Sequence, residues 1–187
     1  MTDLKQLSAS RRRFLVSAAA GTVVTASLSP SAALAMAAPS PRDLALYHTH
    51  TREDIELVYA IGREYDRQAL GELNGFLRDH RTGDIGRMDP RLYDLMHQIR
   101  SVLGNSRPFE IISGYRSPAT NEMLRTTRGG GVAKRSLHMD GRAIDVRLPG
   151  TRLADLREVA LSLRAGGVGY YPREQFVHID TGPVRSW

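Results

Sequence analysis

Two short segments near the end of the chain alternate apolar and polar residues with a period of two. They read "GRAIDVR" and "FVHIDTG". Residues two apart on a strand share a face, so each segment predicts one apolar face and one face bearing an acid or a histidine. The polar set is Asp145 on the first strand and His178 and Asp180 on the second, where Phe176 shares their face. If the two strands are neighbours, Asp145 and His178 point at one spot.

The rest of the chain mixes helical and strand periods, and strands are clustered late. This order favours an α+β fold with a small antiparallel sheet and helices packed on one side of it. The predicted elements are a hairpin at 44–50 and 54–60, helices at 66–79, after the cap Asp89–Pro90, after Ser117–Pro118 and at 151–164, strands at 109–113 and 142–147, and two final strands in "GGVGYY" and "QFVHIDT".

The first 37 residues have the pattern of an export signal. A basic start, "SRRRFL", resembles the twin-arginine signature, and a weakly apolar run ends in A-x-A sites. The run is too short and too rich in small residues for a membrane span, which needs roughly 20 apolar residues. The sequence therefore predicts twin-arginine export of residues 1–37 to the periplasm, a linker at 38–43 and one domain at 44–187.

Charge and cysteine content exclude several classes of protein. The signal holds four basic residues and one acid, so its removal lowers the net charge from +6 to +3. The remaining charges are mixed in sign, whereas a nucleic-acid binder needs a dense basic stripe. The chain has no cysteine, which excludes a disulfide scaffold, a zinc–thiolate site and a cysteine nucleophile.

A third candidate side chain lies just before the first of the two strands, in "SLHMDGRAIDV". His138 precedes a turn at Asp140–Gly141 and can fold back onto the spot shared by Asp145 and His178. Two imidazoles and one carboxylate, with an open position for water, make a catalytic zinc set. The same ligands also occur in non-haem iron sites, so the ligand count alone leaves the metal open.

These segments resemble a known family. "SLHMDGRAID" fits S-x-H-x-x-G-x-A-x-D, "FVH" supplies a later histidine, and "SGYRSPATN" is similar to an arginine-bearing segment. Three such blocks in this order resemble the M15-type zinc peptidases, which include D-Ala-D-Ala carboxypeptidases with a Hedgehog-like fold and murein endopeptidases. The last block, "GGVGYYPREQFVHIDTGPVRSW", resembles the exported murein endopeptidase subgroup.

The resemblance implies a function and a set of roles. It implies one zinc ion per chain, held by His138, Asp145 and His178, and hydrolysis of amide bonds in the peptide cross-links of peptidoglycan. Arg116 would bind substrate and stabilise the oxyanion, since its planar fork suits both groups. Ser136 and Tyr115 would contact the substrate. The expected partner is the peptide stem of the cell wall, with no nucleic acid.

The general base has two candidates. Glu174 lies four residues before His178, within a predicted turn. Asp180 lies two residues after His178 on the same strand face, roughly 6–7 Å along the strand. Because geometry comes before pKa in the choice of a base, Asp180 is favoured over Glu174.

The sequence leaves other functions open, and it contains other histidines for which a role must be predicted. A D-alanyl-D-alanine carboxypeptidase and an inactive wall-binding domain with structural zinc stay open, as does the choice between 4–3 and 3–3 cross-links. The histidines outside the three blocks, which lack an acid or glycine context, are predicted to be solvated: His48, His50, His80 and His97. Tyr170–Tyr171–Pro172 is predicted to serve packing.

Overall fold

The structure, a computed structural model, describes residues 40–127 and 132–187, which belong to one compact unit, Ala37–Trp187. The predicted export signal lies outside the described residues. The described elements are β1 (Pro41–His48), β2 (Asp54–Ile61), β3 (Glu64–Tyr65), α1 (Arg67–Phe76), α2 (Pro90–Leu103), β4 (Phe109–Ser113), α3 (Pro118–Thr127), β5 (Ala143–Arg147), α4 (Leu153–Ser162), β6 (Gly167–Tyr171), β7 (Phe176–Asp180) and β8 (Arg185–Ser186).

The described strands form one open sheet in the order β3-β2-β1-β4-β5-β7-β6-β8. The α+β class is confirmed, but the small antiparallel sheet was wrong, because the sheet has eight strands and is mixed. β1 pairs parallel with β4, and β6 pairs parallel with β8. The chain between β1 and β4 passes through α1 and α2, and a crossover of that length lets a strand return in the same direction.

The core lies on the apolar side of the late strands. Ile144 and Val146 of β5 and Val177 and Ile179 of β7 are fully buried, and they belong to a core cluster that also contains residues of α1, α2 and α4. β5 and β7 are inner strands of the sheet, so their pairing register is fixed, and it determines which side chains lie on the face opposite the core. That face carries the polar side chains predicted from the sequence.

Several predicted boundaries move by a few residues. Pro41–Asp43, predicted as linker, begins β1, where proline is tolerated as the first residue of a strand. The helix predicted to reach residue 79 ends at Phe76. The predicted cap is confirmed in α2, where the Asp89 carboxylate accepts from the Arg91 N–H. In α3, the Thr120 N–H donates to Ser117 Oγ.

The prediction that the other histidines are solvated was wrong for His48. Its side chain is fully buried at the end of β1, where Nδ1 accepts from the His50 N–H at 3.2 Å. The His48 ring lies 5.9 Å from Phe76 and 5.8 Å from His80 between ring centroids. His80 and His97 are half-buried, whereas His50 is exposed. None of the described helices has the length and apolar character needed to cross a membrane.

Candidate metal centre

The register between β5 and β7 brings two of the predicted ligands together. Asp145 and His178 are direct partners in this antiparallel pair. Side chains of directly paired residues lie on the same face of the sheet, which for this pair is the face opposite the apolar core. Asp145 Oδ1 lies 2.8 Å from His178 Nδ1.

His138 reaches the same point from the loop before β5. Its Nε2 lies 3.3 Å from His178 Nδ1 and 3.3 Å from Asp145 Oδ1. The turn that returns the chain to the sheet contains Gly141, which has a φ of +65°. A Cβ at Gly141 would lie 2.1 Å from the Arg87 carbonyl oxygen, so both the conformation and the space require glycine.

The three ligand atoms fit one metal ion. They form a triangle with sides of 2.8, 3.3 and 3.3 Å. A zinc ion about 2.0–2.2 Å from each tetrahedral ligand holds those ligands roughly 3.3 Å apart. His138, Asp145 and His178 together form a group that can hold a metal ion, and the side chain of each is almost fully buried.

The second nitrogen of each histidine already has a partner. His138 Nδ1 lies 2.8 Å from the Gly114 carbonyl oxygen, which fixes this nitrogen as the donor and leaves Nε2 for a metal. His178 Nε2 lies 3.2 Å from Asp180 Oδ2, which leaves Nδ1 for a metal. Such outer partners set the tautomer and orient the rings of metal ligands.

The electrostatics of the centre favour an ionised carboxylate. Burial alone would raise the Asp145 pKa, but the adjacent His138 and His178 outweigh burial and lower it. Burial alone would lower the His178 pKa, but the Asp145 and Asp180 carboxylates raise it to about 9. Before a metal binds, His178 therefore carries a proton that the incoming cation must displace.

The position of Asp180 does not suit the predicted general base. Its side chain is fully buried, and its Oδ2 meets His178 on the nitrogen that points away from the ligand triangle. Oδ1 accepts from the N–H groups of Gly167 at 2.9 Å and Gly182 at 2.7 Å, and Oδ2 also accepts from Arg185 at 2.7 Å. A spacing along one strand does not say which side of the imidazole the next carboxylate meets, and the role of Asp180 as base stays a prediction.

Glu174 lies outside the strands that carry Asp145 and His178. It is exposed in the turn between β6 and β7, two residues before the first residue of β7, Phe176. His178 lies two residues further along, so the backbone separation is on the order of 10 Å. The choice between the two candidate bases therefore stays a prediction.

Arg116 lies beside the ligand triangle, and its role towards substrate stays a prediction. The loop after β4 carries it, and its backbone N–H donates to the His138 carbonyl oxygen at 3.2 Å. Its guanidinium Nη2 lies 3.9 Å from Asp145 Oδ2. The same loop is held by Asp79, a buried residue that sequence reasoning missed, whose Oδ2 accepts from both the N–H and the hydroxyl of Ser117. A guanidinium in this position can reach the oxygen of a bound carbonyl group.

The two predicted substrate contacts have other neighbours in this structure. Ser136 is half-buried, and its Oγ accepts weakly from the His138 N–H at 3.4 Å, so it supports the loop that carries the ligand. The Tyr115 ring lies against Gly86, where a Cβ would fall within 2.0 Å of the ring, and its N–H donates to the Leu77 carbonyl oxygen. A role for either in substrate binding stays a prediction.

Sequence reasoning missed the residues that surround His178 on its other sides. Arg185 of β8 holds the Asp180 carboxylate, and Trp187 places its ring 5.3 Å from the His178 ring. Arg185 begins the two-residue strand β8 and Trp187 follows that strand, which is too short to show a periodicity. The only available signal was the block "GPVRSW" at the end of the family resemblance.

Comparisons with known proteins agree with the motif blocks. The family model Peptidase_M15_2, described as "Peptidoglycan L,D-endopeptidase MepK", matches residues 36–187. Peptidoglycan L,D-endopeptidase MepK of Escherichia coli (strain K12) is 45% identical over 185 residues, which cover 98% of this chain and all of the relative. The protein of that name from Shigella flexneri matches to the same extent.

A more distant relative gives the same result. "Probable peptidoglycan L,D-endopeptidase MepK" of Haemophilus influenzae is 40% identical over 169 residues, which cover 89% of this chain and 90% of the relative. The resemblance to M15-type peptidases that the motif blocks carry is thereby confirmed. The chain belongs to the Peptidase_M15_2 family, whose description is that of the peptidoglycan L,D-endopeptidase MepK.

Proposed function

We propose that this protein is a zinc-dependent peptidoglycan L,D-endopeptidase that hydrolyses amide bonds in the peptide cross-links of the cell wall. The observation that carries the proposal is the triangle of His138 Nε2, Asp145 Oδ1 and His178 Nδ1, built on two inner strands and the loop before β5. Nearly full-length similarity to MepK proteins supports the substrate and the reaction.

His138, Asp145 and His178 would hold the zinc ion. When bound, zinc supplies Lewis-acid polarisation of the scissile carbonyl group and acidifies water for attack. The residues of the chain prepare this chemistry in advance. Gly114 and Asp180 each occupy the outer nitrogen of one histidine, so the inner nitrogens are presented without rearrangement.

Arg116 would stabilise the charge that develops on the carbonyl oxygen. Its guanidinium lies next to the ligand carboxylate, mostly shielded from solvent, where a fixed cation acts more strongly than in water. We assign Asp180 to orienting His178 and not to moving a proton, because all of its polar contacts lie behind that imidazole. Ser136 and Tyr115 would border the substrate.

The proposed substrate places the protein in the cell envelope. The twin-arginine pattern in residues 1–37 supports export to the periplasm by that route.

Metal content and muropeptide products, measured on the same preparation, test the proposal. We expect one zinc ion per chain and conversion of 3–3 cross-linked dimers to monomers, both lost in His178→Ala. Release of a single terminal alanine would indicate a carboxypeptidase instead. Zinc without any product would leave a wall-binding domain, and a protein without metal would contradict the proposal.

A further inference from the structure

Trp187 follows β8 at one edge of the sheet, yet its side chain reaches across the neighbouring strand. Its backbone extends β8, because the Trp187 N–H donates to Val168 and its carbonyl oxygen accepts from Tyr170. β8 and β7 are separated by β6 in the sheet. The indole nevertheless reaches β7, where its ring lies 5.3 Å from the His178 ring between centroids.

A glycine makes this reach possible. Gly169 of β6 is the direct partner of His178, so the two residues share a face of the sheet. A Cβ at Gly169 would lie 2.7 Å from Trp187 Cε2, which is closer than real Cβ contacts. Any other residue at this position would therefore push the indole away from His178.

Two further contacts fix the orientation of the indole. Its Nε1 donates to the Tyr171 hydroxyl at 2.7 Å, and the Tyr171 ring is itself stacked on Phe176 at 4.6 Å. The Arg185 guanidinium lies 4.9 Å from the indole ring while it also binds Asp180. The ring is thus held at its edge and from one side.

Despite these contacts, Trp187 remains 50% exposed. A large aromatic side chain that is locked beside a metal ligand and still open to solvent is a surface prepared to pack on something else. It contributes little to the core, since it lies outside the buried cluster.

We propose that Trp187 is a substrate-positioning residue that forms one wall of the metal centre and packs against the methyl and methylene groups of a peptide stem. This inference rests on the proposed function and names the residue that orients its substrate. Gly169 and Tyr171 act through Trp187, one by leaving space for the indole and the other by fixing its edge.

Kinetics on 3–3 cross-linked dimers test whether Trp187 positions the substrate. For Trp187→Ala, we expect KM to rise roughly tenfold while kcat changes less than about threefold, with zinc still bound at one per chain. Trp187→Phe keeps an aromatic face and should restore most of the affinity. Gly169→Ala leaves the tryptophan in the chain but displaces it, so it should reproduce the rise in KM. Val184→Ala, at another exposed apolar residue of the same segment, serves as the matched control.

A second readout is independent of hydrolysis. Trp187 is the sole tryptophan of the chain, so the intrinsic tryptophan fluorescence reports this residue alone. Titration with an uncross-linked tetrapeptide muropeptide should shift or quench the emission of the unmutated protein, and this response should be weaker in Gly169→Ala.

The two readouts separate failure of the inference from failure of the proposed function. If the unmutated protein cleaves no muropeptide but its fluorescence responds to the tetrapeptide, the proposed function fails, whereas the contact of Trp187 with a peptide stem is supported. If the protein cleaves dimers, but Trp187→Ala changes KM no more than Val184→Ala, Trp187 does not position the substrate. Loss of zinc from Trp187→Ala with an unchanged KM would also overturn the inference, because Trp187 would then only support His178. A tryptophan emission that stays constant through the titration would also contradict the contact between Trp187 and the peptide stem.

Discussion

Gly141 is the residue on which the position of His138 depends most directly. It has a positive φ, and its α-carbon faces the Arg87 carbonyl oxygen without room for a side chain. Gly141→Ala is expected to lower the free energy of unfolding by about 1–3 kcal/mol, and to weaken zinc binding because the loop that presents His138 must shift. Urea denaturation and a zinc titration check both effects.

Gly71 offers the matched control for this substitution. It lies inside α1, and a Cβ there would meet open space. Gly71→Ala is expected to stabilise the protein by roughly 0.5–1 kcal/mol through helix propensity. A Gly141→Ala protein as stable as the unmutated one would show that the turn does not constrain His138.

The sequence favoured Asp180 over Glu174 as the general base, and substitutions of the two residues should differ sharply. Asp180→Asn removes the charge behind His178, and we expect zinc affinity to fall about 10- to 100-fold. Glu174→Gln alters an exposed turn, and kcat/KM should stay within about twofold. Zinc dissociation constants and the pH dependence of kcat/KM measure the contrast. A larger loss of kcat/KM in Glu174→Gln, with zinc affinity intact, would return the role of base to Glu174.

The ligand residues could be predicted from the sequence because strand alternation and one glycine turn bring them together. His138, Asp145 and His178 needed only a period of two and the pairing of β5 with β7. The role of Asp180 could not be predicted in this way. It depends on which imidazole nitrogen the carboxylate meets. The Gly167 N–H of β6 and Arg185 of β8 hold that carboxylate in place.

At the scale of elements, the end of β1 carries the buried imidazole of His48 beside those of His50 and His80. Burial lowers the pKa of His48 to about 4, with repulsion from His50 and Arg78 adding to it and Glu53 opposing it. The pKa of nearby His80 is also lowered to about 4, first by burial. The unfolded chain therefore binds protons at these histidines, near a pKa of 6.5, before the folded protein does.

Acid should destabilise this element. The histidines cost no stability above about pH 6.5, and stability falls as the pH drops toward 4, by up to about 1.4 kcal/mol per pH unit for His48. His48→Asn keeps an acceptor for the His50 N–H but cannot titrate, so its unfolding free energy should fall less steeply. Urea denaturation at pH 7.0, 5.5 and 4.5 measures the slopes.

Phe76→Leu provides the control for the acid effect. It loosens packing against the His48 ring without removing a titratable group, so its stability should run below and parallel to that of the unmutated protein. Equal slopes in His48→Asn and the unmutated protein would show that His48 does not govern acid unfolding.

Elements with an apolar pattern of their own were predictable, and those set by pairing partners were not. β4 was predicted at its observed bounds, because it is a short apolar run between turns. β3 and β8 have two residues each and exist only where the edge strands offer free hydrogen-bonding groups. The burial of His48 likewise depends on α1, which brings Phe76 over the strand end.

For the whole molecule, metal binding and folding should be coupled. The ligand triangle exists only when β5, β7 and the His138 loop are in register, so the unfolded chain offers no equivalent site. A ligand that binds only the folded state stabilises it by about 4 kcal/mol when its concentration is roughly a thousand times its Kd. For a chain of this size, that corresponds to a rise in Tm of about 8–16 °C.

Thermal unfolding in zinc and in chelator tests this coupling. The unmutated protein should unfold at the higher temperature in zinc, and activity should disappear in chelator and return when zinc is restored. His178→Ala should show no zinc-dependent shift, because one corner of the triangle is gone. His50→Ala removes an exposed histidine outside the triangle and should keep the full shift, which separates the proposed centre from incidental zinc binding by other imidazoles. Equal Tm values in zinc and chelator for the unmutated protein would mean that the three side chains do not form a metal centre.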